Sequence, residues 1–364
     1  MPNSDQGAGS ATGQMARRDR FARALFCVVL AFVGGVVAAV IGLPLPYMLG
    51  AIAVTMFAAM AGAPIARPSM AIVTPMRVTL GVLLGSTITP ELLERLGAVA
   101  GTALMVPLYV MLAALIGTLY YERVAGYSRE EAYFCALPGG LHIMTMYAEE
   151  RGVDVRRVSL AHALRITIVV IVTTLVASYV VDLPRITVSD ATVSIGDIDP
   201  LDFAVLIATG VVGWLIGRAT GAPGALMVVP MVCSAVLHIA GVTSAKPPYE
   251  LIIAAQAILG ANIGSRFVGE HVGILLGAMR HAFCHVGLML AVAGVFALGL
   301  NWLFAVPVLT GLLSFAPGGM SEIGLIALGL GLDVGFVATV QLSRSLSINL
   351  FGTLVYRRIS SLLR

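Results

Sequence analysis

Two stretches, Ala136-Leu137-Pro138-Gly139-Gly140-Leu141-His142 and Phe315-Ala316-Pro317-Gly318-Gly319-Met320-Ser321-Glu322, place the same Pro-Gly-Gly core inside long apolar segments. Proline removes a backbone donor and paired glycines permit conformations that interrupt a helix. Lipid cannot satisfy the peptide groups set free at such a break, so the irregular backbone must be surrounded by protein or line a water-filled cavity. A kink or tight turn accounts for a single Pro-Gly-Gly equally well. Two of them at matching places call for a larger comparison.

The two stretches are 179 residues apart, and at that offset the chain matches itself without a gap from about Gly34 to Arg165. Matched pairs include Gly42/Gly221, Pro44/Pro223, Gly81/Gly260, Gly85/Gly264, Asp154/Asp333 and Arg165/Arg344. Eight glycines fall on glycines where chance predicts roughly 1.5, which identifies an internal duplication. Each half reads as six apolar segments, about 24–41, 47–62, 70–88, 96–121, 132–147 and 158–181, then 203–217, 222–240, 251–267, 275–300, 308–328 and 335–355. The expected organisation is a disordered cytoplasmic N-terminus over 1–23, a first membrane repeat over 24–181, and an acidic linker over 182–202. A second repeat over 203–358 and a cytoplasmic tail over 359–364 follow.

The solvent follows from composition. Of 364 residues 59% are hydrophobic and 11% charged, with mean hydropathy +0.96, against about 25% charged in soluble proteins. Runs near 20 residues span a hydrocarbon core of about 30 Å as helices. A net charge of +3 without basic clusters outside the termini argues against direct nucleic-acid binding. The four cysteines stand singly in apolar surroundings and read as buried small residues. Arg17, Arg18, Arg20 and Arg23 precede a long apolar run that continues into more hydrophobic sequence, as in an uncleaved first span. Arg123, Arg129, Arg151, Arg156 and Arg157 flank the first Pro-Gly-Gly segment, and the matching loops of the second half have no Lys or Arg. The positive-inside rule then favours opposite orientations. The expected fold is an all-α integral membrane protein of two inverted repeats, each of about five transmembrane helices plus a re-entrant Pro-Gly-Gly element. It sits in the bacterial inner membrane with both termini cytoplasmic.

Broken elements at equivalent places in inverted halves mark the midplane site of transporters, where helix N-termini favour anionic groups. Pro138, Gly139, Gly140, His142, Pro317, Gly318, Gly319 and Ser321 are therefore expected to bind substrate. Arg344 lies 11 residues after Asp333 and 13 before Arg357, too deep for easy snorkelling. With Gln341 and Ser345 on its helix face and Arg165 as its counterpart, it offers bidentate donors to a small anion. Alternatively Arg344 pairs with Glu322 or caps freed carbonyls, and Arg165 snorkels to the interface. Glu322, whose counterpart is Ile143, is the expected proton-coupling group, with an ion pair to Arg344 as the alternative. Asp154 and Asp333 read as helix N-caps. Gly81-Val82-Leu83-Leu84-Gly85-Ser86 and Gly260-Ala261-Asn262-Ile263-Gly264-Ser265 have the spacing of close helix packing, and Asn262 and Ser265 could also line a polar path. His281 and His285 share a helix face but lack a third ligand, so they read as interfacial and no metal is expected.

The duplicated Gly-x-Pro, Gly-x-x-x-Gly-Ser and Pro-Gly-Gly patterns resemble the bacterial membrane AbrB family, over about residues 24–358, most specifically at Ala316 to Glu322. The resemblance implies a membrane AbrB duplication and carries labels of ammonia monooxygenase or regulator of gene expression, with no catalytic motif. A secondary transporter of a small, anionic solute explains the duplication, the breaks and the deep charges together. A membrane-embedded regulator would act through a partner protein. A copper monooxygenase is least favoured, because six scattered histidines supply no repeated ligand set. No enzyme activity and no cofactor are expected; the partners are lipid and a small-molecule or ion substrate, and self-association is left open.

Overall fold

The computed structural model describes residues 6–88, 96–138, 141–180, 193–222 and 224–362, and among them every regular element is a helix. The first seven are α1 (Gln6–Val40), α2 (Pro46–Met60), α3 (Met70–Gly85), α4 (Leu96–Arg123), α5 (Arg129–Ala136), α6 (Leu141–Glu150) and α7 (Val155–Val180). The next seven are α8 (Pro200–Thr220), α9 (Ala225–Ile239), α10 (Tyr249–Gly264), α11 (Val272–Phe304), α12 (Val308–Phe315), α13 (Met320–Gly329) and α14 (Val334–Leu362). A short 3-10 turn, Ser265–Phe267, follows α10.

Helix boundaries recur at the 179-residue offset of the sequence. Pro46–Met60 maps onto Ala225–Ile239, Met70–Gly85 onto Tyr249–Gly264, Arg129–Ala136 onto Val308–Phe315 and Leu141–Glu150 onto Met320–Gly329. The same local physics acts twice. Leu137 and Ala316 precede prolines, which exclude the helical region, and both are extended, with φ −59°, ψ 126° and φ −52°, ψ 134°. Gly152 and Gly331 close α6 and α13 with φ 68° and 63°, a left-handed turn that side chains resist.

Five helical segments, Arg18–Val40, Gly97–Arg123, Val155–Val176, Pro200–Thr220 and Val272–Phe304, are long and apolar enough to cross a membrane. Phe21, Leu25, Val29, Val33 and Val36 on α1 and Leu298 and Trp302 on α11 are exposed. A surface of that kind suits lipid rather than water. Helix α1 starts at Gln6, inside the segment expected to be disordered; an i,i+4 pair from Arg23 to Asp19 at 2.9 Å lies on its early turns.

The chain divides into two compact bodies, Met1–Met76 with Ile253–Val272, and Arg77–Ile252 with Gly273–Arg364. Each contains parts of both repeats. In the smaller body α1 and α2 approach so closely that a Cβ on Gly50 would lie 2.1 Å from the Gly34 carbonyl oxygen. There α10 lies on α2: a Cβ on Gly260 would lie 2.8 Å from the Met48 carbonyl oxygen, and one on Gly264 2.1 Å from Thr55 Oγ1. In the larger body the equivalent residues make the reciprocal contact, with Gly81 2.4 Å from the Met227 oxygen and Gly85 2.7 Å from Ser234 Cβ on the same measure. Each small-residue helix thus packs on the second helix of the other repeat, and a Cβ at any of these positions would force the helices apart.

Candidate functional site

The larger body holds both broken elements. Helix α5 starts with a capping box in which Ser128 accepts from the Glu131 amide at 3.3 Å and Glu131 accepts from the Ser128 amide at 3.0 Å. It ends at Leu137 and Pro138, where the last carbonyls of the helix have no intrahelical donor. Side chains from α7 supply the donors. Arg165 Nη1 donates to the Leu137 carbonyl at 2.7 Å, and His162 Nε2 lies 2.9 Å from the Phe134 carbonyl, which places the proton on that nitrogen. The second repeat repeats this arrangement with α14 and α12. Gln341 Nε2 donates to Leu313 at 2.8 Å and to Ala316 at 3.2 Å. Arg344 donates to the carbonyls of Ala316, of Gly318 at 2.7 Å and of Phe315 at 3.5 Å, and to Gln341 Oε1 at 2.6 Å. Arg165 is 2% exposed and Arg344 4%. Of the two alternatives to anion binding for Arg344, capping of freed carbonyls is the one realised; among the described residues it makes no ion pair with Glu322.

Glu322 is buried, and its carboxylate folds back over Gly319, the N-cap of α13, so that a Cβ on Gly319 would meet Oε2 at 2.0 Å. The two ends of the second break therefore carry opposite charges: a guanidinium at the negative end of α12 and a carboxylate at the positive end of α13. Asp154 caps α7, accepting from the Arg156 and Arg157 amides at 3.0 and 3.2 Å, and Asp333 caps α14, accepting from the Phe336 amide at 2.9 Å. Laid end to end, α5 and α6 would separate their outer ends by about 27 Å at 1.5 Å per residue. Instead Arg151, just after α6, reaches Glu130 in the first turn of α5 at 3.9 Å, and Arg157 reaches Glu131 at 3.4 Å.

A third helix comes to the first break. His285 on α11 is completely buried, and neither ring nitrogen has a hydrogen-bond partner among the described residues. A Cβ on Gly117 of α4 would lie 2.8 Å from both His285 Nε2 and the Ala136 Cβ, so the imidazole and the last residue of α5 both face the missing side chain of Gly117. This corrects the reading of His285 as interfacial; Gly117 supplies the room that buries it. At the second break the corresponding space is aromatic. Tyr109 lies 5.0 Å from Phe315 and 5.5 Å from Phe296 between ring centroids, with its hydroxyl beside the Arg344 guanidinium. The Tyr121 ring lies 4.9 Å from His285 and also lines a cavity of about 220 Å³ with Tyr127, Arg157, His281, Gly273 and Gly277. In the loop beside it, burial pushes the Tyr127 hydroxyl above its ordinary value.

Of the remaining expected site residues, Pro138, Pro317 and Gly318 are buried at the breaks and Ser321 is half-buried in the first turn of α13. Ser345 donates to the Gln341 carbonyl at 3.1 Å, on its own helix. Asn262 and Ser265 belong to the smaller body, where Asn262 Oδ1 accepts from Arg67 Nε at 2.8 Å and the Ser265 hydroxyl is buried. Gly139 and Gly140 lie outside the described residues, as does the side chain of His142. Sequence reasoning passed over His162, Tyr109 and the burial of His285. His162 had a signal, since it stands opposite Gln341 at the repeat offset.

Residues 47–360 match the model of the AbrB family, described as transition state regulatory protein AbrB. The chain is 25% identical over 322 residues, 88% of its length and 91% of the relative's, to an Escherichia coli (strain K12) protein named "Putative regulator AbrB". It is 24% identical over 375 residues, 91% of both chains, to a Bacillus subtilis (strain 168) protein named "Uncharacterized protein YhjN". The family match extends over both helix breaks and both buried arginines, and the chain belongs to the AbrB family.

Proposed function

We propose that this protein is a secondary transporter of a small anionic solute in the bacterial inner membrane, with both termini cytoplasmic. It would be built as two inverted repeats of about five spans, each with a re-entrant Pro-Gly-Gly element. The observation that carries the reading is Arg344: a buried guanidinium at a helix break whose described partners, three carbonyls and Gln341, are all neutral. A full positive charge held in a low-dielectric interior by dipoles alone is a strong attractor for an anion. The return of the chain between Glu130 and Arg151 supports the re-entrant element, and the unequal distribution of arginines between matching loops supports inversion. Pro138, Pro317, Gly318, Ser321, Gln341 and Arg165 would complete the substrate surroundings, and Glu322 would carry the coupling proton.

The name of the Escherichia coli relative, a putative regulator, favours a second reading, a membrane-embedded regulator acting through a partner protein. Thermal unfolding of the detergent-purified protein against small carboxylates, amino acids and inorganic anions separates the two. A ligand at 100 times its dissociation constant adds about 2.7 kcal/mol of apparent stability. Transport of an anion predicts that one anion class raises the melting temperature of the wild type and not of Arg344→Gln. Silence across the panel would leave the regulator as the better reading.

A further inference from the structure

Helices α4 and α11 run antiparallel, with Gly101 beside Phe304 and Gly117 beside His285. The 179-residue offset exchanges them, so the two ends of this pair are equivalent places. They are packed in opposite ways. At the end of Leu300, Val306 and Phe336 are buried, with Ala98 and Val99 against the same apolar core. At the end of Tyr121, the matching residues are Tyr127, Arg157, Gly277 and Ala278, and they line the cavity of about 220 Å³. His281 joins them where the other end has Thr102. Both ends lie within the larger body.

Packing does not explain the small residues of the hollow end. A Cβ on Gly273 or Gly277 would touch nothing within 4 Å among the described residues, and neither glycine has a positive φ. Glycine inside a helix is disfavoured against alanine, so the room it leaves calls for another use. The walls around that room are fixed. Tyr121 is 1% exposed and stacks on Tyr127 with centroids 5.3 Å apart and planes at 30°. The Tyr120 hydroxyl lies 3.2 Å from His281 Nδ1 and holds the imidazole. Arg157 lies 5.7 Å over the Tyr127 ring and reaches Glu131 at 3.4 Å and Asp154 at 3.3 Å. Two carboxylates already answer its charge, so the cavity has no surplus for an anion, while the guanidinium itself repels a cation. A cavity of about 150 Å³ admits benzene, so this one has room for a ring with a short substituent or for a fused pair of rings.

We propose that this cavity binds a small uncharged aromatic molecule with one hydrogen-bonding group, of the class of a phenol or an indole. The ring lies against Tyr121 and Tyr127, and the polar group meets His281. The site goes beyond the transport reading and stands apart from it: Arg344 is not among the residues that line the cavity, and the occupant carries no charge.

Fluorine NMR of a fluorinated phenol and a fluorinated indole, titrated into the full-length protein in detergent micelles, reads binding directly, with empty micelles as the partition background. Both probes are expected to bind saturably, and fluorinated benzoate and benzylamine more weakly by about tenfold or more. Ala278→Phe places a ring in the cavity and should abolish saturable binding. Tyr127→Val and His281→Thr, which install the residues of the filled end, should each weaken the phenol midpoint about tenfold. Fluorinated toluene has no polar group and should bind His281→Thr as it binds the wild type, a result that a merely disordered cavity would not give. Arg344→Gln should bind the phenol unchanged. If Ala278→Phe does not fold, the midpoints of the other two cavity variants decide. Saturable binding kept by a folded Ala278→Phe, or a wild-type midpoint in Tyr127→Val or His281→Thr, overturns the proposal. So does a wild type that binds neither probe saturably. Benzoate or benzylamine binding as tightly as the phenol overturns the uncharged class. Binding lost in Arg344→Gln but kept in Ala278→Phe moves the probe to the second helix break, which overturns the cavity and leaves the transport reading standing.

Discussion

The first and second helix breaks share a scaffold and differ in what surrounds it. Four capping bonds, from His162, Arg165, Gln341 and Arg344, each join a side chain to a carbonyl 28 residues earlier. Around the second break stand Tyr109, Phe296 and Phe315, with Glu322 folded over Gly319. Around the first stand Gly117, Ala136 and a buried His285 that has no hydrogen-bond partner among the described residues. Duplication preserved the means of ending a helix inside the apolar interior, where orphan carbonyls are costly. It let charge and wall diverge, which is where a symmetric scaffold acquires a direction.

The largest expected effect lies on the shared part. Arg344→Met removes a charged donor from three buried carbonyls and from Gln341, and should lower the unfolding free energy by about 3 kcal/mol. His162→Leu, which takes one bond from the other break, should cost about 1 kcal/mol. Thermal or denaturant unfolding in detergent compares them directly. If Arg344→Met proves as mild as His162→Leu, the guanidinium is not what holds the end of α12, and its charge is free for ligand alone.

Much of this comparison is legible in the sequence, and its limits are physical. The offset of 179 residues places helix boundaries in both halves, because prolines and glycines at matched positions act locally. Depth along a helix identifies Arg344 as buried. Small-residue spacing shows that α3 and α10 pack closely but not against what, since any neighbouring helix would satisfy it; that each packs on the other repeat's second helix emerges only in three dimensions. His281 and His285 at i and i+4 read equally as an interface edge. Only the absence of a side chain on Gly117, in a different helix, makes room to bury His285. Glu322 and Arg344 attract each other on paper, yet each is answered by the opposite end of a broken helix, a choice set by backbone geometry.

The wall of the first break offers a smaller and sharper test. Gly117→Ala would bring a methyl group to 2.8 Å from His285 Nε2 and from the Ala136 Cβ, well inside contact distance. Overpacking of that size should cost about 1 to 2 kcal/mol. In the His285→Ala background the same substitution should cost less, because half of the collision is removed, and the difference measured as a double-mutant cycle reports how tightly the imidazole is held. An additive cycle would mean that the imidazole turns aside without cost, and the first break would be looser than its wall implies.

The smallest effect concerns a second place where one repeat carries a charge and the other does not. Glu250, at the start of α10, is matched by Ala71 at the start of α3. Its carboxylate accepts from Ser194 Oγ at 2.6 Å and from the Ile195 amide at 3.0 Å, and the Tyr249 amide donates to the Val193 carbonyl at 3.2 Å. The end of the linker is thereby tied to the start of α10. The Ser194 hydrogen bond, foremost, holds the Glu250 carboxyl below its ordinary value of 4.5. A carboxyl lowered in the folded state contributes fully above that ordinary value and loses its contribution as pH falls through the lowered one. Amide exchange at Ile195 and Gly196 should therefore be slow, relative to a peptide of the same sequence, at neutral pH and approach the peptide rate as acidification protonates the Glu250 carboxyl, below its ordinary value. Glu250→Gln should lose that acid step. Protection at Ile195 that persists unchanged into acid would show that the backbone bond from Tyr249 to Val193, rather than the charge present in only one repeat, fixes the linker.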